Sequence, residues 1–144
     1  MTDVFTPAEL DYLRGQRLAR LATLVPDGTL QNNPVAFFVH ASAGTVDIGG
    51  ARLLRTRKFR NVQSHPQVAL VIDDLESVDP WRPRCLEIRG RAEALPDASP
   101  PAPGFGPGVI RIHPEQVFSF GLDPETGGRG MTKRTVSAPR AGQP

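Results

Sequence analysis

Leu86-Glu87-Ile88-Arg89-Gly90-Arg91-Ala92-Glu93-Ala94 alternates without a fault, with Leu86, Ile88, Gly90, Ala92 and Ala94 on one side and four charged residues on the other. Strict period-two alternation marks a β-strand with one buried and one wet face. Upstream, Val68-Ala69-Leu70-Val71-Ile72 and Val35-Ala36-Phe37-Phe38-Val39 are apolar at every position. Strands of that kind need cover on both faces. A turn across Ala41–Gly44 leads from the strand Leu30–His40 into Thr45-Val46-Asp47-Ile48-Gly49-Gly50, most simply as an antiparallel hairpin. Gly49 and Gly50 bring backbone to the surface without side chains, as a strand end does where a ligand approaches; a plain turn is the competing reading.

Working outward, Thr6-Pro7-Ala8-Glu9 has the makings of a helix start, with a threonine cap, proline at the first helical position and Glu9 completing a capping box. Gly15 is placed to end that helix in a left-handed conformation. Arg17–Leu24 carries leucines at spacing three, which also suits a helix. Gly15 before it and Pro26-Asp27-Gly28 after it favour a strand. Arg55–Ser64 is predicted as a short helix with Phe59 and Val62 on one face, ended by His65-Pro66. Asp73–Pro83 is predicted as an acidic loop holding Trp81, Pro96–Gly108 as a Pro/Gly loop, and Val109–Ile112 and Val117–Phe120 as closing strands. The expected architecture is mostly β: a β-barrel with short helices packed on it, formed by residues 1–122. Residues 123–144, Gly-rich and basic, are expected to form a flexible tail. The doubly apolar strands imply that something large covers the outer wall, and a partner subunit is the economical candidate.

A chain of 144 residues holds one core of this size, and an apolar fraction of 39% suits a folded protein. No stretch approaches the length of a membrane span, and the N-terminus has no secretory pattern. Cys85 stands alone, which excludes an internal disulfide and fits a reducing compartment, so the cytoplasm is expected. The formal charge is +2, of which residues 124–144 contribute +3, leaving −1 for residues 1–123. A duplex-binding protein needs a charged folded face, so nucleic acid is not the expected partner; binding through the tail is a minor alternative.

His40, His65 and His113 are scattered, and no Cys/His/carboxylate cluster has metal-ligand spacing. There is no Gly-x-Ser-x-Gly elbow, and Gly104-Phe105-Gly106-Pro107-Gly108 fails the dinucleotide-loop test because it contains proline and precedes a strand. An enzyme built this way must let a cofactor carry the chemistry. The informative segment is Thr56-Arg57-Lys58-Phe59-Arg60-Asn61, where Arg52, Arg55, Arg57, Lys58 and Arg60 crowd nine residues without an acid. First-turn N–H groups of a helix lack partners and face outward, and with Lys58, Arg57 and the Thr56 hydroxyl they make a phosphate seat. An ordinary solvated helix capped by Thr56 is the competing reading. Lys58 is one of two lysines beside fifteen arginines, which singles it out.

Gln31-Asn32-Asn33-Pro34-Val35, Asp47-Ile48-Gly49-Gly50 and Thr56–Val62, continued by Val71–Asp74, Asp79-Pro80-Trp81, Glu87–Glu93 and Ile110–Pro114, resemble the pyridoxamine 5′-phosphate oxidase-like flavin and deazaflavin split-barrel proteins. The similarity runs from about Phe5 to Leu122 and is nearest to the small actinobacterial F420-dependent branch. It implies a Greek-key-like, FMN-binding type of split barrel, and a homodimer with coenzyme F420 or FMN in a groove at the subunit interface. Thr56 and Lys58 would then contact phosphate, with Arg57 and Asn61 nearby; Gln31, Asn32, Asn33, Pro34, Val35, Ile48, Gly49 and Gly50 would line the ring system. Trp81 would reach over from the partner, or else serve as a packing residue. The implied function is an F420- or FMN-dependent oxidoreductase moving a hydride to or from a small substrate; a non-catalytic carrier or binding module is the alternative. The chain departs from the pattern at Ala36, where glycine is usual, and at Ala51–Leu54, whose bulk narrows the groove. It also lacks a clear counterpart of the arginine and histidine set that binds substrate phosphate in true pyridoxamine phosphate oxidases, which argues against that activity.

Overall fold

A computed structural model describes residues 4–122 and 130–136. Its elements are α1 (Pro7–Arg14), β1 (Leu18–Leu24), β2 (Leu30–His40), β3 (Thr45–Gly49), a 3₁₀ turn over Leu53–Arg55, α2 (Arg57–Ser64), β4 (Gln67–Ser77), β5 (Arg82–Leu95), β6 (Val109–Phe120) and β7 (Met131–Thr135). All pairings are antiparallel, in the order β3-β2-β1-β4-β5-β6, and β3 also pairs with β6 to close a six-stranded barrel. The first half of β6 pairs with β3 and the second half with β7. This is a β-barrel with two short helices, as the strand pattern leads one to expect, and it is the split barrel that the resemblance implies.

The inward positions are those the patterns single out. Leu21, Ile48, Leu70, Ile72, Leu86, Ile88, Ile110 and Ile112 fill the barrel and are at most 2% exposed. At roughly 1.5–3 kcal/mol for each large side chain removed from water, this core is the main source of stability. The outward residues Ala69, Val71, Ala36 and Phe38 are only half-buried, so the runs expected to be covered on both faces are covered on one within a single chain.

α1 begins with the complete capping box, Glu9 N–H donating to Thr6 Oγ1 at 3.2 Å and Thr6 N–H to Glu9 Oε1 at 2.9 Å. Gly15 ends it with φ −84°, right-handed instead of left-handed, its N–H bonded to the Tyr12 carbonyl. Arg17–Leu24 resolves as strand β1, because pairing with both β2 and β4 satisfies its backbone on two edges.

Three stretches differ from expectation. Most of the acidic loop is strand: β4 runs on to Ser77 and β5 starts at Arg82, since Asp74 faces Arg84 across the ladder and the pair bonds bidentately. The two closing strands are one, β6, which carries Pro114 through a bulge opposite Gly90. Only glycine fits there, because a Cβ on Gly90 would lie 2.1 Å from the His113 carbonyl oxygen. Residues 131–135, expected in the tail, pair with β6 as β7. Arg134 anchors that strand by donating to both Glu9 oxygens, at 2.7 and 2.9 Å, and to the Val4 carbonyl. The rest of the predicted tail, 123–129 and 137–144, lies outside the described residues.

Candidate functional site

α2 exists because Thr56 caps it and because Phe59 and Val62 bury one face against the end of the barrel. The Thr56 hydroxyl accepts from the Phe59 N–H at 3.3 Å and donates its proton to the Leu53 carbonyl at 2.6 Å. It therefore has no proton left for a phosphate, and its role here is to cap. The Arg60 N–H reaches the Thr56 carbonyl. The N–H groups of Arg57 and Lys58 take no partner among the described residues and open outward at the positive end of the helix.

Around them stand Arg52, Arg55, Arg57, Lys58 and Arg60, none within ion-pair reach of a carboxylate among the described residues. The four arginines are exposed and Lys58 is half-buried. Burial pushes the Lys58 ammonium below the usual lysine range, with no carboxylate among the described residues to offset it. A hollow of about 320 Å³, lined by Ala51–Arg55 and Pro107, adjoins this group. Free N–H groups, a partly desolvated ammonium and flexible guanidinium groups form a donor set suited to a phosphate.

Asn61, one turn further along α2, is turned into the fold and 3% exposed. Its amide donates to Thr23 Oγ1 at 3.0 Å and to Gln31 Oε1 at 2.9 Å, while Gln31 Nε2 donates to Asn33 Oδ1 at 2.7 Å. The structure thus joins Gln31, Asn33 and Asn61 in one network that fastens α2 to β1 and β2. Asn61 and Gln31 spend these groups on the fold.

The remaining residues divide by strand alternation. Asn32 and Pro34 face out and are exposed. Val35 faces in, and Ile48, opposite Ile110, is wholly buried, so a ring can meet only the backbone of Ile48. Gly49 is buried instead of open, because the loop between β5 and β6 lies on it: a Cβ there would come within 2.6 Å of Pro101 Cγ and 3.2 Å of Phe105 Cδ1. Gly50 accepts the Gly106 N–H at 2.9 Å. Gly49 is needed for close approach, but by the chain's own loop, whereas a Cβ on Gly50 would meet only Leu53 at ordinary contact distance. Trp81 is 66% exposed in the β4–β5 turn, separated from α2 by the eleven residues of β4, about 33 Å of extended strand.

Sequence reasoning missed two carboxylate clusters, one buried and one half-buried. Asp47 accepts from Arg111 Nε and Nη2 at 2.9 and 3.1 Å and lies 3.0 Å from His40 Nε2. Asp74 gathers Tyr12, Gln16 and Arg84. An acid within an apolar strand, as in Val46-Asp47-Ile48, was the available signal for the first.

Fold and site together define a small split barrel with a cationic, anion-ready helix end beside the wall of β2. The chain belongs to the pyridoxamine 5′-phosphate oxidase family, whose profile matches residues 5–120, and this places it among the flavin-type oxidoreductases. It is 37% identical to a 5a,11a-dehydrotetracycline/5a,11a-dehydrooxytetracycline reductase of Streptomyces rimosus, over 96% of this chain and 98% of that one. Among solved structures it is similar to an F420 reductase (TM-score 0.55, 25% identity, covering 71% of this chain and 89% of that one). It shares its fold with an FAD-binding protein from Mycobacterium smegmatis (TM-score 0.55, 22% identity, covering 80% and 93%).

Proposed function

We propose that the protein is a reductase that uses F420, in preference to FMN, to reduce a conjugated double bond in a small organic substrate. The observation carrying this reading is the end-to-end similarity to a reductase acting on dehydrogenated tetracyclines, at 37% identity. The likeness to an F420 reductase, at 25% identity, supports the choice of cofactor. So does the surplus of cations: a single phosphate needs fewer than the five side chains from Arg52 to Arg60, whereas the oligoglutamate tail of F420 brings further carboxylates.

The bound deazaflavin would supply the hydride, a chemistry that no side chain here provides. The chain's own part is to bind and orient. Arg57 and Lys58 would hold the phosphate with backbone N–H groups and side-chain charge. Asn32 and Pro34, exposed on β2, offer a wall for the ring system, and the Asn61–Gln31–Asn33 network keeps that wall in register with α2. A second copy covering the outer face would exclude water and complete the groove. Trp81 would then act from that second copy, since β4 holds it far from α2 in its own chain.

The test is to mix the purified protein with reduced F420, or with reduced FMN, and a panel of conjugated cyclic ketones, following cofactor absorbance. Acceptor-dependent oxidation of F420 is the expected result. Tight binding of either cofactor without acceptor-dependent oxidation would make the protein a carrier. Turnover with FMN alone would reverse the cofactor assignment.

A further inference from the structure

Away from α2, between α1 and the far end of β2, lies a groove of about 450 Å³. Its floor is formed by Leu10 and Leu13 of α1 and Phe37–Val39 of β2, and its rim by Arg14, Gln16, Arg17 and Ala41. Phe37 and Val39 occupy inward positions of β2, so the groove enters the mouth of the barrel beside the helix that caps it. Barrel mouths are a recurring place for small-molecule sites, and this volume is in the range that takes a drug-sized ligand.

Its chemistry is lopsided. Apolar groups line the floor, and the two charged residues at the rim are both arginines. Arg14 has only a solvent-exposed partner, Asp11 at 3.6 Å, and Arg17 has no carboxylate within reach among the described residues. The Gln16 amide nitrogen is committed to Asp74 at 3.2 Å, which holds that stretch of the rim in place. A flat apolar body would be desolvated against the leucines and phenylalanines, and a negative edge would meet the guanidinium groups.

We propose that this groove is a binding site for a planar, largely apolar organic anion, separate from the phosphate seat at α2. The inference does not rest on the cofactor assignment.

The probes are 8-anilinonaphthalene-1-sulfonate, an aromatic anion, and N-phenyl-1-naphthylamine, its uncharged relative, titrated by fluorescence. The full-length protein should bind one equivalent of the sulfonate per chain. Ala41→Trp, at an exposed rim position, should abolish the binding of both probes by filling the groove. Arg17→Glu should weaken the sulfonate at least tenfold and leave the amine within twofold. Arg57→Glu, in the phosphate seat, should change neither. Absence of saturable binding to the unaltered protein, unaltered sulfonate binding in Ala41→Trp, or displacement of the sulfonate by F420 or FMN would each overturn the proposal. Thermal melting identical to that of the unaltered protein verifies that each variant is folded.

Discussion

Lys58 and Asn61 sit one helical turn apart on α2 and do opposite things. Lys58 is a half-desolvated cation with no carboxylate in reach among the described residues, so an incoming phosphate would gain a charge-assisted bond there. Lys58→Ala should weaken cofactor binding by about 1.5–3 kcal/mol and leave melting unchanged, whereas Arg91→Ala, exposed on the wet face of β5, should do neither; calorimetric titration decides. Equal affinity in the two variants would mean that the phosphate seat is misplaced. Asn61 is buried, and Asn61→Ala would orphan Thr23 and Gln31, lowering folding stability by about 1–3 kcal/mol in urea denaturation. Asp74 supplies a pH handle. Hydrogen bonds from Arg84 first, then Tyr12 and Gln16, hold its carboxyl below the usual carboxylate range despite partial burial. The folded state therefore takes up that proton less readily than the unfolded chain. The resulting stability is present above about pH 4 and is lost as pH falls through the depressed value. Melting temperature measured down to about pH 3 should fall less steeply for Asp74→Asn than for the unaltered protein.

Elements meet in this fold through a few obligatory contacts. The bulge between β5 and β6 depends on Gly90, and Gly90→Ala drives a Cβ into backbone, not into a side chain that can move. A loss of about 1–3 kcal/mol is expected, read as a lower urea midpoint. The same position was legible in the sequence only as one more small residue on the buried side of an alternating strand. The alternation reports which face is wet; it does not report which neighbour presses on it. β7 shows the converse. Met131–Thr135 has no apolar alternation and reads as tail, because its stability comes from pairing with β6 and from Arg134 on the buried Glu9, partners far away along the chain. The stretch from Asp73 to Ser77 is illegible as strand for a related reason: acids have low strand propensity, and the neighbouring strands supply Arg20 to Asp73 and Arg84 to Asp74.

For the whole molecule the outer wall is the unfinished surface. Leu18, Leu30, Val78 and Trp81 are 56–80% exposed, and the outward residues of β1, β2 and β4 between them are mostly small or apolar. A surface of this kind is what a second copy would cover. Sedimentation at micromolar concentration should show a dimer; a monomer would remove both the covered wall and the interfacial groove of the proposed function.

By itself the sequence determined the class of fold and the run of cations at the start of α2. Hydrophobic period and capping are local properties, and so is a run of five cations without an acid. Tertiary structure alone decided how the named site residues divide. Asn61 and Gln31 turned out to hold the fold together, Thr56 to spend its proton on Leu53, and Gly49 to lie beneath Pro101 and Phe105. A side chain's free donors are those left after its neighbours have taken theirs, and those neighbours come from strands and loops remote in sequence.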